Sequence, residues 1–111
     1  MNATARFVLL VHSFPVLHRY APGLDAPDDV DLKLIDAWAA HDPDVVEKVI
    51  AAGRSPFPGE GAKHAARFVL SVWDSRRKWK AGSFDLFAAL QAWDDQQRAA
   101  FQTWAANPWR P

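Results

Sequence analysis

Three groups of side chains in this sequence have the types and spacing to do chemistry. Glu60 and His64 are four apart where a helix would start, so both could face one divalent metal if His41 or Asp42 came near as a third ligand. Gly61 lies between them, however, and Glu60 serves equally well as a negative group at a helix N-terminus. We assign no metal. His12, Ser13 and His18 have the types of a nucleophile and a base, but residues adjacent in a chain seldom point at each other. No Gly-x-Ser-x-Gly elbow or acid partner at recognised spacing accompanies them. Gly-x-Gly-x-x-Gly and Gly-Lys-Ser/Thr are also missing, which leaves no cradle for a nucleotide phosphate. No catalytic residue and no cofactor is assigned, and catalysis ranks behind binding.

The third group is Arg76-Arg77-Lys78-Trp79-Lys80, four cations around an indole followed by Ala81-Gly82. Cations can hold phosphates while a ring stacks on a base, as in single-strand recognition. Arg and Trp are equally the favoured anchors of protein interfaces. The plainest alternative is that Trp79 covers the core while the cations snorkel outward. Formal charge sums to zero and no second basic helix is available to enter a groove, so nucleic acid is disfavoured and a protein partner or a second copy is preferred.

Charge is nevertheless unevenly placed. Asp25 to Glu47 carries eight carboxylates against Lys33 alone, whereas Lys48 to Lys80 carries eight lysines and arginines against Glu60 and Asp74. The two stretches can neutralise each other within the fold, or the acidic helix can meet the basic cluster of another molecule. Trp109-Arg110-Pro111 could join such an interface, since flanking prolines stiffen it and lower the entropy lost on docking. Alternatively, Trp109 folds back over Trp104 or Trp93 and closes the core.

The elements that must position these groups are helical. Asp42-Pro43-Asp44 offers a cap, a first-turn proline and a carboxylate for the dipole, and predicts a helix to about Ala52 with Val45, Val46, Val49 and Ile50 as its stripe and Gly53 as its stop. Pro27 with Asp28 and Asp29 predicts another through Val30, Leu34, Ile35 and Trp38. Residues 54–61 hold two prolines and two glycines and predict a loop, anchored by Phe57. A central helix follows from Ala62 to about Asp74. Ser83 is expected to cap the next, with Leu86, Phe87, Leu90 and Trp93 facing one way. Asp94 and Gln97 form a capping box for the last, which Asn107-Pro108 ends.

Phe7 to Val11 suits either a strand or a buried helical turn. Ala5-Arg6-Phe7-Val8-Leu9 recurs as Ala66-Arg67-Phe68-Val69-Leu70 in a helical context, which favours helix, although unequal spacing elsewhere reads as chance and not as a duplication. Pro15, Pro22 and Pro27 predict that Phe14 to Asp25 is a loop wrapping the surface.

With 111 residues, half of them apolar, the chain is expected to form one domain without staples. Cysteine is absent, and Phe7 to Val11 is too short an apolar run for a membrane span or signal peptide, so the cytoplasm is the expected compartment. The closing run from Trp93 to Pro111, with Trp93, Arg98, Phe101, Trp104 and Pro108-Trp109, resembles the end of a group of small uncharacterised bacterial proteins and covers about a sixth of the chain. That resemblance implies a repeated structural unit and carries no activity. The expectation is therefore an all-α bundle of about five short helices, with an irregular N-terminal loop and an extended C-terminal tail. Its core should include Trp38, Phe68, Val69, Leu90, Trp93, Phe101 and Trp104. Its function should be interaction through Arg76, Arg77, Lys78, Trp79, Lys80, Trp109 and Arg110.

Overall fold

Phe68, on the longest helix, touches the rings of Phe14, Phe84, Trp93, Phe101 and Trp104 at centroid separations of 5.7, 5.3, 6.2, 5.2 and 5.2 Å, and the rest of the fold is arranged around it. The computed structural model describes residues 3–21, 24, 30–53 and 59–109. Among them run α1 (Ala3–His12), α2 (Pro15–Tyr20), α3 (Leu32–Ala39), α4 (Pro43–Ala51), α5 (Glu60–Trp73), α6 (Leu86–Ala92) and α7 (Asp95–Ala106), with no strand. No helix in these residues is long and apolar enough to cross a membrane.

Helix α5 is central because it is apolar over a wide arc. Ala62, Ala65, Ala66, Phe68, Val69, Leu70 and Val72 are buried, and α2, α3 and α6 pack chiefly against it. Its alanines let neighbours approach, while each fully buried large side chain contributes about 1.5–3 kcal/mol. Edge-on aromatic pairs add roughly 0.5–1.5 kcal/mol beyond area. Trp93 fastens a corner: its ring is buried in that cluster, and its Nε1 donates to the Gly61 carbonyl at 3.1 Å. The first turn of α5 thus sits so close to the α6–α7 junction that a Cβ on Gly61 would lie 3.1 Å from Gln97 Oε1.

Local capping sets the boundaries. Asp42 accepts from Asp44 N at 3.0 Å with Pro43 in the first turn of α4, and Gly53 ends that region at φ +76°. Asp94 and Gln97 form the reciprocal box that starts α7, with Asp94 Oδ1 accepting from Gln97 N at 2.8 Å and Gln97 Oε1 from Asp94 N at 3.0 Å.

Several expectations are corrected. There are seven helices where about five were expected, mainly because residues 15–20 form α2 and not a surface loop: Pro15 occupies the first turn, where its missing N–H costs nothing, and Phe14, Leu17 and Ala21 are wholly buried. The open question over Phe7 to Val11 resolves as helix. Asp85, not Ser83, caps α6, accepting from Ala88 N at 3.2 Å, so the helix starts later and Phe87 is 82 % exposed instead of joining the core stripe. Ile50 likewise faces outward. Helix α3 begins at Leu32 behind an Asp31 cap, leaving Val30 ahead of it; Pro27, Asp28, Asp29 and Phe57 lie outside the described residues. Trp38, Phe68, Val69 and Trp93 are buried core, while Leu90, Phe101 and Trp104 pack on it partly covered. The C-terminal end is not a free extended tail as far as Trp109, which packs against the core.

Candidate functional site

The basic cluster lies on the connection between α5 and α6, which is hydrogen-bonded to the body of the fold at Lys80 and Ala81 and to the end of α5 at Arg76 and Trp79. Asp36, on the buried face of α3, reaches across to it: its Oδ1 accepts from Ala81 N at 2.8 Å and its Oδ2 from Lys80 N at 3.2 Å. Arg67 on α5 donates its Nε to the Ala81 carbonyl at 2.6 Å, so the N–H and the C=O of Ala81, on successive peptide planes, are held by groups from two helices. Gly82 follows at φ +94°, packed against the Arg67 guanidinium, and its N donates to the Trp79 carbonyl at 3.1 Å. This positive φ is one that a residue with a Cβ would adopt only under strain.

The near end is tied just as closely. Asp74, which terminates α5, accepts from Arg76 N at 3.0 Å, and its carbonyl accepts from Trp79 Nε1 at 3.0 Å. Arg77 lies over the Trp79 ring with its guanidinium carbon 4.5 Å from the centroid, an arrangement worth about 0.5–1 kcal/mol at an exposed position. Trp79 is thus half-buried with its N–H satisfied and one ring face covered, while Arg76, Arg77, Lys78 and Lys80 are exposed. Beside them is a recess of about 620 Å³ lined by Arg76, Arg77, Lys78, Trp79 and the serines Ser71, Ser75 and Ser83. The acidic and basic stretches of the sequence meet through the Asp36 carboxylate on backbone N–H groups, which leaves the loop's cationic heads facing water.

Trp109 is not brought to this loop. Its carbonyl accepts from Trp104 Nε1 at 3.1 Å and Arg6 of α1 lies 4.7 Å over its ring, so the closing segment folds back on the domain. Arg110 lies outside the described residues. Sequence reasoning missed the feature this creates: an apolar trough of about 640 Å³ between α1 and α7, lined by Leu9, Leu10, Ala99, Ala100, Trp104 and Trp109 with Arg6 at its rim. Its signal was in the sequence as Arg6, Leu9, Leu10, Ser13 and Gln96, Ala99, Ala100, Thr103, each set spaced i, i+3, i+4, i+7 along one helix face.

Of the four histidines His64 is buried and His12 half-buried, while His18 and His41 are exposed. His64 Nε2 lies 3.8 Å from Glu60 Oε2, so that pair does meet, yet no cluster of three metal-ligating side chains exists among the described residues. Burial pushes the His64 pKa below its ordinary value, and nearby Arg67 pushes it the same way. The rings of His12 and His18 stand 5.0 Å apart, and desolvation with the neighbouring His18 lowers the His12 pKa. Ser13 donates its hydroxyl to the Leu10 carbonyl at 2.5 Å, closing its own helix turn instead of facing a base. No protein-family model matches the chain, no curated protein matches it, and no solved structure matches it.

Proposed function

We propose that this chain is a non-enzymatic interaction domain that binds an acidic protein surface through the Arg76–Lys80 loop, with Trp79 as the anchor. One observation carries the proposal: the backbone bearing four exposed cations is clamped by the buried Asp36 carboxylate and by Arg67. A loop fixed before its partner arrives loses less entropy on docking, so its charges convert into affinity and orientation. Nucleic acid ranks second, since Arg77 covers one face of the Trp79 ring and the Asp74 carbonyl takes its N–H, leaving less ring for a base to stack on. The C-terminal likeness to small bacterial proteins brings no activity to this proposal. A cysteine-free chain fits a reducing compartment, and we place it in the cytoplasm.

The test is an NMR titration of the labelled chain with a poly-glutamate peptide and, separately, a single-stranded oligonucleotide. The peptide is expected to move the Trp79 indole and Arg77 side-chain signals. An Arg76→Ala, Arg77→Ala double variant should weaken that binding about tenfold, the equivalent of ~1.4 kcal/mol, at unchanged melting temperature. An oligonucleotide that binds while the peptide does not would overturn the proposal. Light scattering over a concentration series separates a foreign partner from a second copy.

A further inference from the structure

Helices α1 and α7 do not pack along one another as α3 and α5 do; they flank a trough of about 640 Å³, closed at one end by Arg6 lying over Trp109 and bounded by Pro15. That volume is within the roughly 300–1,000 Å³ typical of small-molecule sites. The alanines Ala99 and Ala100 hollow out the α7 side. Leu9, on the α1 side, is 56 % exposed despite being fully apolar, the kind of surface that a ligand would cover.

The polar lining is sparse, which limits what can bind. Ser13 and Thr103 both face the trough, but their hydroxyls donate to their own helices, to the Leu10 carbonyl at 2.5 Å and the Ala99 carbonyl at 2.9 Å. Gln96 contributes one neutral amide. The charged group is Arg6. Its guanidinium carbon lies 4.7 Å from the centre of the Trp109 ring, and Trp109 is in turn tied by its carbonyl to Trp104 Nε1. A cation–π contact leaves the guanidinium its charge and N–H donors beyond the ring, and a guanidinium can grip a carboxylate bidentately. Among the described residues no carboxylate lines the trough.

We propose that the trough between α1 and α7 binds an amphiphilic anion, an organic acid whose carboxylate is held by Arg6 and whose apolar body lies against Leu9, Leu10, Ala99, Ala100 and Trp104. One fixed cation beside an otherwise apolar surface matches one anionic head on one apolar body. It does not match a polyanion, which would need several cations, or a cationic amphiphile, which Arg6 repels. The site is independent of the basic loop: it draws on different helices, and binding to one can fail while binding to the other stands.

Decanoate, below its micelle concentration, is the probe, with decylammonium and decanol as its cationic and neutral counterparts. Titrated into the labelled full chain, decanoate is expected to move the Trp104 and Trp109 indole signals saturably while those of Trp38 and Trp79 stay in place. Arg6→Gln should weaken it by roughly tenfold to a hundredfold, as expected for a charge-assisted hydrogen bond lost to a neutral one. Ala99→Leu should block the trough and abolish binding. Both positions are exposed, so both variants are expected to melt like the parent. Stationary Trp104 and Trp109 signals, decylammonium binding as tightly as decanoate, or an Arg6→Gln variant with undiminished affinity would each overturn the proposal. So would an acidic amphipathic peptide that moves those two signals where decanoate leaves them, because it would assign the trough to a protein helix.

Discussion

His64 keeps its ring inside the fold, with Nδ1 lacking a hydrogen-bond partner among the described residues, and so resists protonation. Its folded pKa lies below the ordinary 6.5, so the unfolded chain binds the proton more readily as pH falls through that value. The stability conferred by a neutral buried ring is present in full above 6.5 and is lost progressively toward and through the depressed folded pKa. His12 acts in the same direction. Melting temperature should therefore fall on acidification from about pH 7.5 to about pH 5, and His64→Gln should flatten part of that slope; parallel profiles for the two proteins would exclude the effect. At Trp93, truncation to alanine empties the aromatic cluster and breaks the bond to Gly61, so urea unfolding should report a loss of about 3–5 kcal/mol. Residue-scale features were legible where the partner is close in sequence: the Asp42 cap and the Asp94–Gln97 box close within three residues. Asp36 was not, because its backbone partners lie 44 and 45 positions away, and nothing local distinguishes it from the other carboxylates of its stretch.

Among the elements, α2 was concealed by its own proline. Pro15 reads as a breaker when neighbouring prolines are counted with it, yet it fits the first helical turn, and the buried Leu17 ties those six residues to α5. Leu17→Ala should consequently cost about 2–5 kcal/mol in a denaturant titration, where a surface-loop leucine would cost a few tenths. Helix α6 shows the opposite case. Ser83 was the expected cap, but Asp85 takes that place two residues later, and Phe87 faces outward. Phe87→Ser is therefore expected to leave stability within about 0.5 kcal/mol, and a large loss in the same titration would return that ring to the core. Helices α4 and α7 were legible from caps and stops that act locally, and α5 from its wide apolar arc, since it begins at Glu60 without a side-chain cap. The α1–α7 trough was not, since a groove is set by what fails to fill it, and a helix stripe looks the same whether its facing partner is present or not.

Over the whole molecule, helical class and the aromatic centre could be read from the sequence because periodicity and composition determine them, whereas the function proposed here depends on one long-range clamp. Without Asp36 and Arg67, the Arg76–Lys80 segment would be held only by its own contacts with Asp74; with them, its far end is fixed to the folded body. Asp36→Ala strands two backbone N–H groups, one of them on the buried Ala81, and should cost about 1–3 kcal/mol while freeing the loop. The most direct measurement is amide hydrogen exchange at Lys80 and Ala81. The account predicts that both are strongly protected in the native chain and that Asp36→Ala releases them while the amides of α5 stay protected. Exchange at unprotected rates in the native chain, or protection that survives the loss of the carboxylate, would contradict it.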